Sequence, residues 1–516
     1  MRIRVLKSKP RSARGQALVL ACLSFLVLAL MTTLSFNLSH ALRQKVSLQQ
    51  HSDSLAYSMA VMEARALNYY AVSNRAIAAS YVAMNSLHAY MAVASVTGQI
   101  MRASRNNFYI IAAMEFAQCA CWTCFIHCIH GIQAIRVASK YGNAGRDYDG
   151  KAKNLENSFN QANKGLDMLV ETVHASQMAV HARTVQSVMN GNANGLSELT
   201  NYNAPGASNV PGGVGALNTN EFNCAIDGMV CMGGQGNSSN EALARVMTEV
   251  SNASRPGWTA NRDFDLPKPL YLHPSFLQEM MMDIPGEGLH YPIPFVHKGT
   301  AKLVETRSNI HGPGQVGGNT GKVIAADEEG AMFNQWKHGV GPYMPFNSRI
   351  HSDTNGGGHT PNGAHSDEHE FDGVNTQSFM SCIGQGNCFM KFRADPDAND
   401  DYGQPSVYSY VTRQFRVGNP NQAPWELNAN SELNFTHGGQ GTARLTLAAG
   451  EGSGLSKALV YYHRFGSNGW REAPNMFNPY WRAKLHPFRA TEAATVLGAA
   501  GNTDAAQLAV TPGVSL

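Results

Sequence analysis

The chain has 516 residues, of which 43% are hydrophobic and only 15% charged. That hydrophobic share excludes a wholly disordered protein, and the charged share falls well below the ~25% of ordinary soluble domains. Forty basic residues against 37 acidic ones leave a net charge of +3, too balanced for nucleic-acid binding by bulk charge, and the 49 glycines follow no collagen period.

Residues 1–15 form a basic segment: Arg2, Arg4, Lys7, Lys9, Arg11 and Arg14 appear without an acid. Residues 16–38 follow as a transmembrane anchor, because Ala17 to Phe36 carry neither charge nor proline. A helix of that length rises ~30 Å, the thickness of a bilayer core. The basic flank stays on the cytoplasmic side, so the remainder of the chain is expected on the far side after a single pass. A cleaved secretory signal is the competing reading, with Ser39-His40-Ala41 as a passable cleavage site. A lipoprotein reading at Cys22 fails, since most of the apolar residues follow the cysteine.

Residues 39–200 read as a long helical hairpin or bundle. Asn37 to Met101 lack proline and are rich in Ala, Met, Leu, Ser and Tyr. Small residues such as Ala78, Ala79, Ser80 and Ala83 permit close helix approach. Residues 108–135 are a second apolar segment interrupted by Glu115, Gln118, His127 and His130. A buried hairpin helix suits it better than a second membrane span, where each polar group would be costly. Farther on, Phe159, Ala162, Leu166, Leu169, Val173 and Val180 step by three and four residues, predicting an a/d seam against the first helix. Long helices of this kind also allow oligomer formation.

Residues 201–240 are rich in Gly and Asn and read as a linker. Residues 241–489 hold short apolar runs between turn signals, predicting strands at Ala301–Thr306, Cys388–Phe392, Ser406–Val417, Glu432–Phe435, Ala443–Leu447 and Ala458–His463. Residues 490–516 are a small-residue tail expected to be flexible. The fold class is therefore α+β: a membrane helix continuing into a helical hairpin, then a mixed, mostly antiparallel domain.

Eight of the nine cysteines lie beyond the anchor, where disulfides are permitted if that side is oxidising. Cys224 with Cys231 and Cys382 with Cys388 are close across Gly-containing loops and are the disulfide candidates. In the cluster Cys119, Cys121, Cys124 and Cys128, disulfides or buried thiols are expected. Zinc is the alternative there, because Cys124 and Cys128 share a helix face near His127 and His130. His365 and His369 form a second weak metal candidate in a His-rich loop, but Ser366 breaks the His-Glu-x-x-His pattern. Gly317-Gly318-Asn319-Thr320-Gly321-Lys322 narrowly misses a phosphate loop, and no Gly-x-Ser-x-Gly elbow occurs. No catalytic residue and no cofactor are expected. The aromatics from Tyr461 to Trp481, interleaved with Arg471, Arg482 and Lys484, suit a closing core and a docking surface equally well.

Arg14-Gly15-Gln16-Ala17-Leu18-Val19 at the head of the apolar helix resembles the start of the TadE/TadG-like proteins of bacterial Flp (Tad) pilus assembly. The stretch Gln49-Gln50-His51-Ser52-Asp53-Ser54-Leu55-Ala56 resembles the one that follows the anchor in that family, and Phe477 to Leu485 resembles a segment of its large members. The resemblance implies a non-enzymatic, membrane-anchored assembly component in the bacterial inner membrane, with a periplasmic C-terminal region and other pilus-assembly proteins as partners. It also marks Gly15 and Gln16 as a candidate processing site. Pilin-like members carry Glu at the fifth mature residue; here that position is Leu20, which argues against a major pilin. The family's von Willebrand A-type Asp-x-Ser-x-Ser pattern does not occur. A surface adhesin with its anchor removed and a metal-dependent periplasmic enzyme using the His-rich loop are the alternatives.

Overall fold

The computed structural model describes residues 13–120, 125–234, 236–254, 294–303, 323–338, 341–351, 389–395, 402–414, 432–436, 442–446, 451–466, 469–470 and 472–512. These belong to a mixed α and β protein with two compact units. The first comprises Met1–Tyr69, Met178–Gly236 and Lys391–Leu516; the second comprises Tyr70–Gln177 and Asn237–Met390. Two long helices, α1 (Ala13–Cys119) and α2 (Phe125–Asn190), contribute to both. Neither contains proline, so nothing interrupts the backbone hydrogen-bond ladder.

In the first unit, α1 changes character along its length. Gly15 to Thr32 are uniformly exposed, and among the described residues this is the one helix long and apolar enough to cross a membrane. From Leu48 onward one face turns inward: Leu48, Ser52, Leu55, Met59, Glu63 and Leu67 are buried at helical spacing. That face lies on an antiparallel sheet of β4 (Ser406–Gln414), β7 (Glu451–Tyr462) and β10 (Trp481–Leu485), with β7 in the centre. The same unit holds a short helix, α3 (Leu196–Asn203), and two short strand pairs, β5 (Glu432–Thr436) with β6 (Thr442–Thr446) and β8 (Phe465–Gly466) with β9 (Gly469–Trp470). Contact is close enough that a Cβ at Gly454 would stand 2.9 Å from the carbonyl oxygen of Leu48.

Polar side chains stitch this interface together. The Gln49 amide donates to the Leu455 carbonyl (2.8 Å) and to Ser456 Oγ (3.0 Å), while Ser456 Oγ donates to Asp53 Oδ1 at 2.5 Å. Both sheet edges are also closed by side chains. Asn68 of α1 pairs with the backbone of Trp481 on β10, donating to its carbonyl and accepting from its N–H, each at 2.9 Å. Asn218 of α4 (Gly212–Cys224) does the same to Tyr408 on β4, at 2.9 and 2.8 Å. An amide carries both a donor and an acceptor, so it satisfies an edge that would otherwise recruit another strand.

The second unit holds the remaining parts of α1 and α2, α5 (Asn240–Ser254), and an antiparallel sheet of β1 (Pro294–Leu303), β2 (Val323–Lys337) and β3 (Tyr343–His351) with β2 central. Its helices bury Tyr81, Phe108, Tyr141 and Tyr148. Phe108 stacks on Tyr141 at 5.6 Å and meets Trp336 of β2 edge-on at 5.8 Å.

Several expectations need correction. The expected α2 seam is rotated by about one residue: Ala162 and Leu169 are exposed, while Asn163, Val170, Gln177 and Thr184 are buried. Gln177 explains part of this, since its amide donates to Ser73 Oγ (2.7 Å) and Asn74 Oδ1 (2.8 Å) of α1, making a polar residue the inward one. The expected linker at 201–240 carries α4, whose Val214 and Phe222 are fully buried. The expected flexible tail contains α6 (Ala490–Ala499) and α7 (Thr503–Ala509), anchored by buried Val496 and Leu497. Of the expected strand at Cys388–Phe392, Cys388 lies outside the described residues and Phe392 makes only an isolated bridge to Ile226.

Glu63 stands out in the first unit. It is wholly buried, and neither carboxyl oxygen has a hydrogen-bond partner among the described residues. Burial, reinforced by the nearby Glu221, pushes its pKa well above the usual range, so the folded state holds a proton that the unfolded state releases. Stability therefore falls as pH rises past about 4.3, by at most about 1.4 kcal/mol per unit, until the folded-state pKa is passed. Glu63→Gln should remove this slope and be the more stable protein near pH 8, as read by thermal unfolding of the detergent-solubilised chain across about pH 5–8. An unchanged slope would show that Glu63 is not the group responsible.

Candidate functional site

Three elements of the second unit converge where α1 ends and α2 begins. Glu115 stands one turn before Cys119, the last residue of α1; His127 stands in the first turn of α2; Trp336 and His338 stand at and just beyond the end of β2. A disulfide between Cys119 and Cys128 ties the two helix ends together, with Cα atoms 5.0 Å apart, within the usual ~4.4–6.8 Å. Gly131 on the next turn of α2 permits the close approach, because a Cβ there would meet the Phe116 ring at 2.9 Å.

The result is a carboxylate enclosed by donors. The Glu115 side chain has no solvent exposure. Its Oε2 lies 2.6 Å from His127 Nδ1, and its Oε1 lies 2.8 Å from His338 Nδ1. The Trp336 indole N–H also donates to Oε1 at 3.0 Å. Burial alone would raise the Glu115 pKa. The hydrogen bonds from Trp336 and His127, with the charge and hydrogen bond of His338, outweigh it and hold the carboxyl below its ordinary value. The two imidazoles meet edge-on at 5.2 Å. His130, one turn along α2 from His127, lies edge-on to Trp336 at 6.0 Å, and its buried Nδ1 has no hydrogen-bond partner among the described residues.

The residues singled out from sequence fall as follows. Cys224 and Cys231 form the expected disulfide, with Cα atoms 4.7 Å apart. Cys128 is bonded to Cys119 and offers no thiolate, which removes it as a metal ligand. Cys124, Cys382, Cys388, His365 and His369 lie outside the described residues. Gly15 and Gln16 are exposed in the first turns of α1, and Cys22 is the free cysteine among the described residues. The sequence marked Glu115 only as an interruption of an apolar run and placed His127 beside a cysteine-based zinc alternative, and it gave no sign of His338. The available signal was the presence of ionisable groups in a run otherwise fit for burial.

No family model, curated protein or solved structure is matched by the chain.

The Cys119–Cys128 bond closes a short loop, with a sequence separation of 9, and chain-entropy arguments give it about 2–3 kcal/mol. Peptide mapping without reductant should recover Cys119 linked to Cys128 and Cys224 linked to Cys231. The Cys119→Ser/Cys128→Ser double variant should lose about 2–3 kcal/mol in unfolding experiments. Recovery of Cys128 joined to Cys121 or Cys124 would contradict the assigned pairing.

Proposed function

We propose that the chain is a single-pass, inner-membrane structural component of a bacterial Flp-type pilus assembly system, with its N-terminus cytoplasmic and its folded units periplasmic. The observation that carries this reading is the course of α1. Its exposed apolar stretch Gly15–Thr32 runs without a break into the residues that seat the first unit's sheet. Two of the three segments that carry the family resemblance belong to that seat: Gln49, Ser52 and Asp53 contact β7 and β4, and Trp481 of the C-terminal segment pairs with Asn68. Two disulfides beyond the apolar stretch suit an oxidising compartment, and the basic flank suits an N-terminus held in the cytoplasm.

The role is scaffolding. The anchor fixes the first unit at the membrane surface, and the helix-on-sheet interface keeps that unit from separating from its anchor. Partner proteins of the apparatus would dock on the folded units.

Deleting the gene should strongly reduce assembled surface pili, counted by electron microscopy, and the full chain should restore them. The Leu23→Asp/Leu26→Asp variant should not, because each buried Asp costs membrane insertion about 2.5–3.5 kcal/mol. Pilus counts unchanged by the deletion would refute the assembly role.

A further inference from the structure

From the convergence of Glu115, His127 and His338, we propose that the second unit binds one divalent transition-metal ion, zinc by the chemistry of the set. Among the described residues these three are the one group whose side chains could hold a metal, their ligand atoms all lying within 4.8 Å of one another. Two imidazole nitrogens and one carboxylate oxygen are borderline ligands that favour zinc over magnesium or calcium, which take oxygen alone. Three protein ligands also leave a fourth tetrahedral position for water or an exogenous group.

The geometry is close to what the ion requires. With bonds of about 2.0–2.1 Å, tetrahedral ligand atoms stand about 3.3 Å apart. His127 Nδ1 lies 2.6 Å from Oε2 and His338 Nδ1 lies 2.8 Å from Oε1, and the three ligand atoms all lie within 4.8 Å of one another, so closing on one ion asks for side-chain shifts on the order of 1 Å. His338 follows the last residue of β2, and its side chain is about one-third exposed, giving both freedom to move and a path for the ion. Each histidine binds as neutral imidazole through Nδ1, so the Nδ1 proton passes to Nε2 or to solvent.

The surroundings resemble a supporting shell. Trp336 can only donate, so it cannot ligate; its bond to Oε1 instead orients the carboxylate. The Cys119–Cys128 bond fixes the helix ends that carry Glu115 and His127. His130 supplies a further buried nitrogen beside Trp336 that has no hydrogen-bond partner among the described residues. A fully buried carboxylate facing two imidazoles has reason to be retained if a cation completes it.

The test uses the full chain in detergent, stripped with chelator and titrated with zinc alone by calorimetry and with cobalt by absorption. The expected result is one ion per chain, with cobalt bands of a four-coordinate nitrogen–oxygen site. Glu115→Gln and, separately, His338→Gln should each weaken binding by about 10-fold or more while leaving the Cys119–Cys128 disulfide and the helical circular dichroism intact. His338→Gln guards against misfolding, since its partly exposed side chain is the most tolerant of change. His365→Ala/His369→Ala should leave the stoichiometry at one. Weak, unsaturable binding, or binding unaffected by Glu115→Gln and His338→Gln in folded protein, would overturn the proposal.

Discussion

The seating of α1 on the β10–β7–β4 sheet is the constraint on which the first unit depends. It joins a close backbone approach, Gly454 against Leu48, to side-chain hydrogen bonds from Gln49 and Asn68 to the backbone of β7 and β10. Apolar contact alone would let a helix slide along a sheet. Gln49, Asp53 and Asn68 restrict that freedom, because a misregistered helix would leave their amides and carboxylate, and the strand groups they meet, without partners in a partly buried setting. The same helix supplies the exposed apolar stretch, so the fold of the first unit and the stretch long and apolar enough to cross a membrane share one element.

Two buried carboxylates on α1 show how differently one residue type is handled. Glu63 has no hydrogen-bond partner among the described residues, and desolvation pushes its pKa well up. Glu115 is met by an indole and two imidazoles and is held ionised. Both sit in helices of low overall charge, where one uncompensated ion would be costly. The difference is whether neighbouring elements present donors, and β2 does so for Glu115 through Trp336 and the residue that follows it by two positions.

Much of the architecture was legible in the sequence because its causes are local. The uncharged run from Ala17 to Phe36, the absence of proline from there through Cys119, and the apolar run between turn signals at Ser406–Val417 announce a long helix and a strand with no reference to the rest of the chain. The Cys224–Cys231 bond was legible for the same reason. The α2 seam was not, because hydrophobic periodicity assumes apolar residues face inward, whereas Gln177 is buried to satisfy Ser73 and Asn74. Nor was α4, whose glycines signal a turn in isolation. A Cβ at Gly215 would collide with the Met189 carbonyl, so that glycine serves tight packing and not chain reversal. The Glu115 cluster was hidden by distance along the chain: His338 lies far from His127 in sequence, and only the folded chain brings it, with Trp336, against Glu115.

The central claim is that the apolar head of α1 remains part of the mature protein and holds the folded units at the membrane. Intact mass spectrometry of the chain recovered from membranes tests it most directly. The recovered chain should begin no later than Gln16, with Gly15–Thr32 retained in full or from its second residue. A mature chain beginning beyond Thr32, recovered without the membrane fraction, would contradict it and make the first unit a released domain.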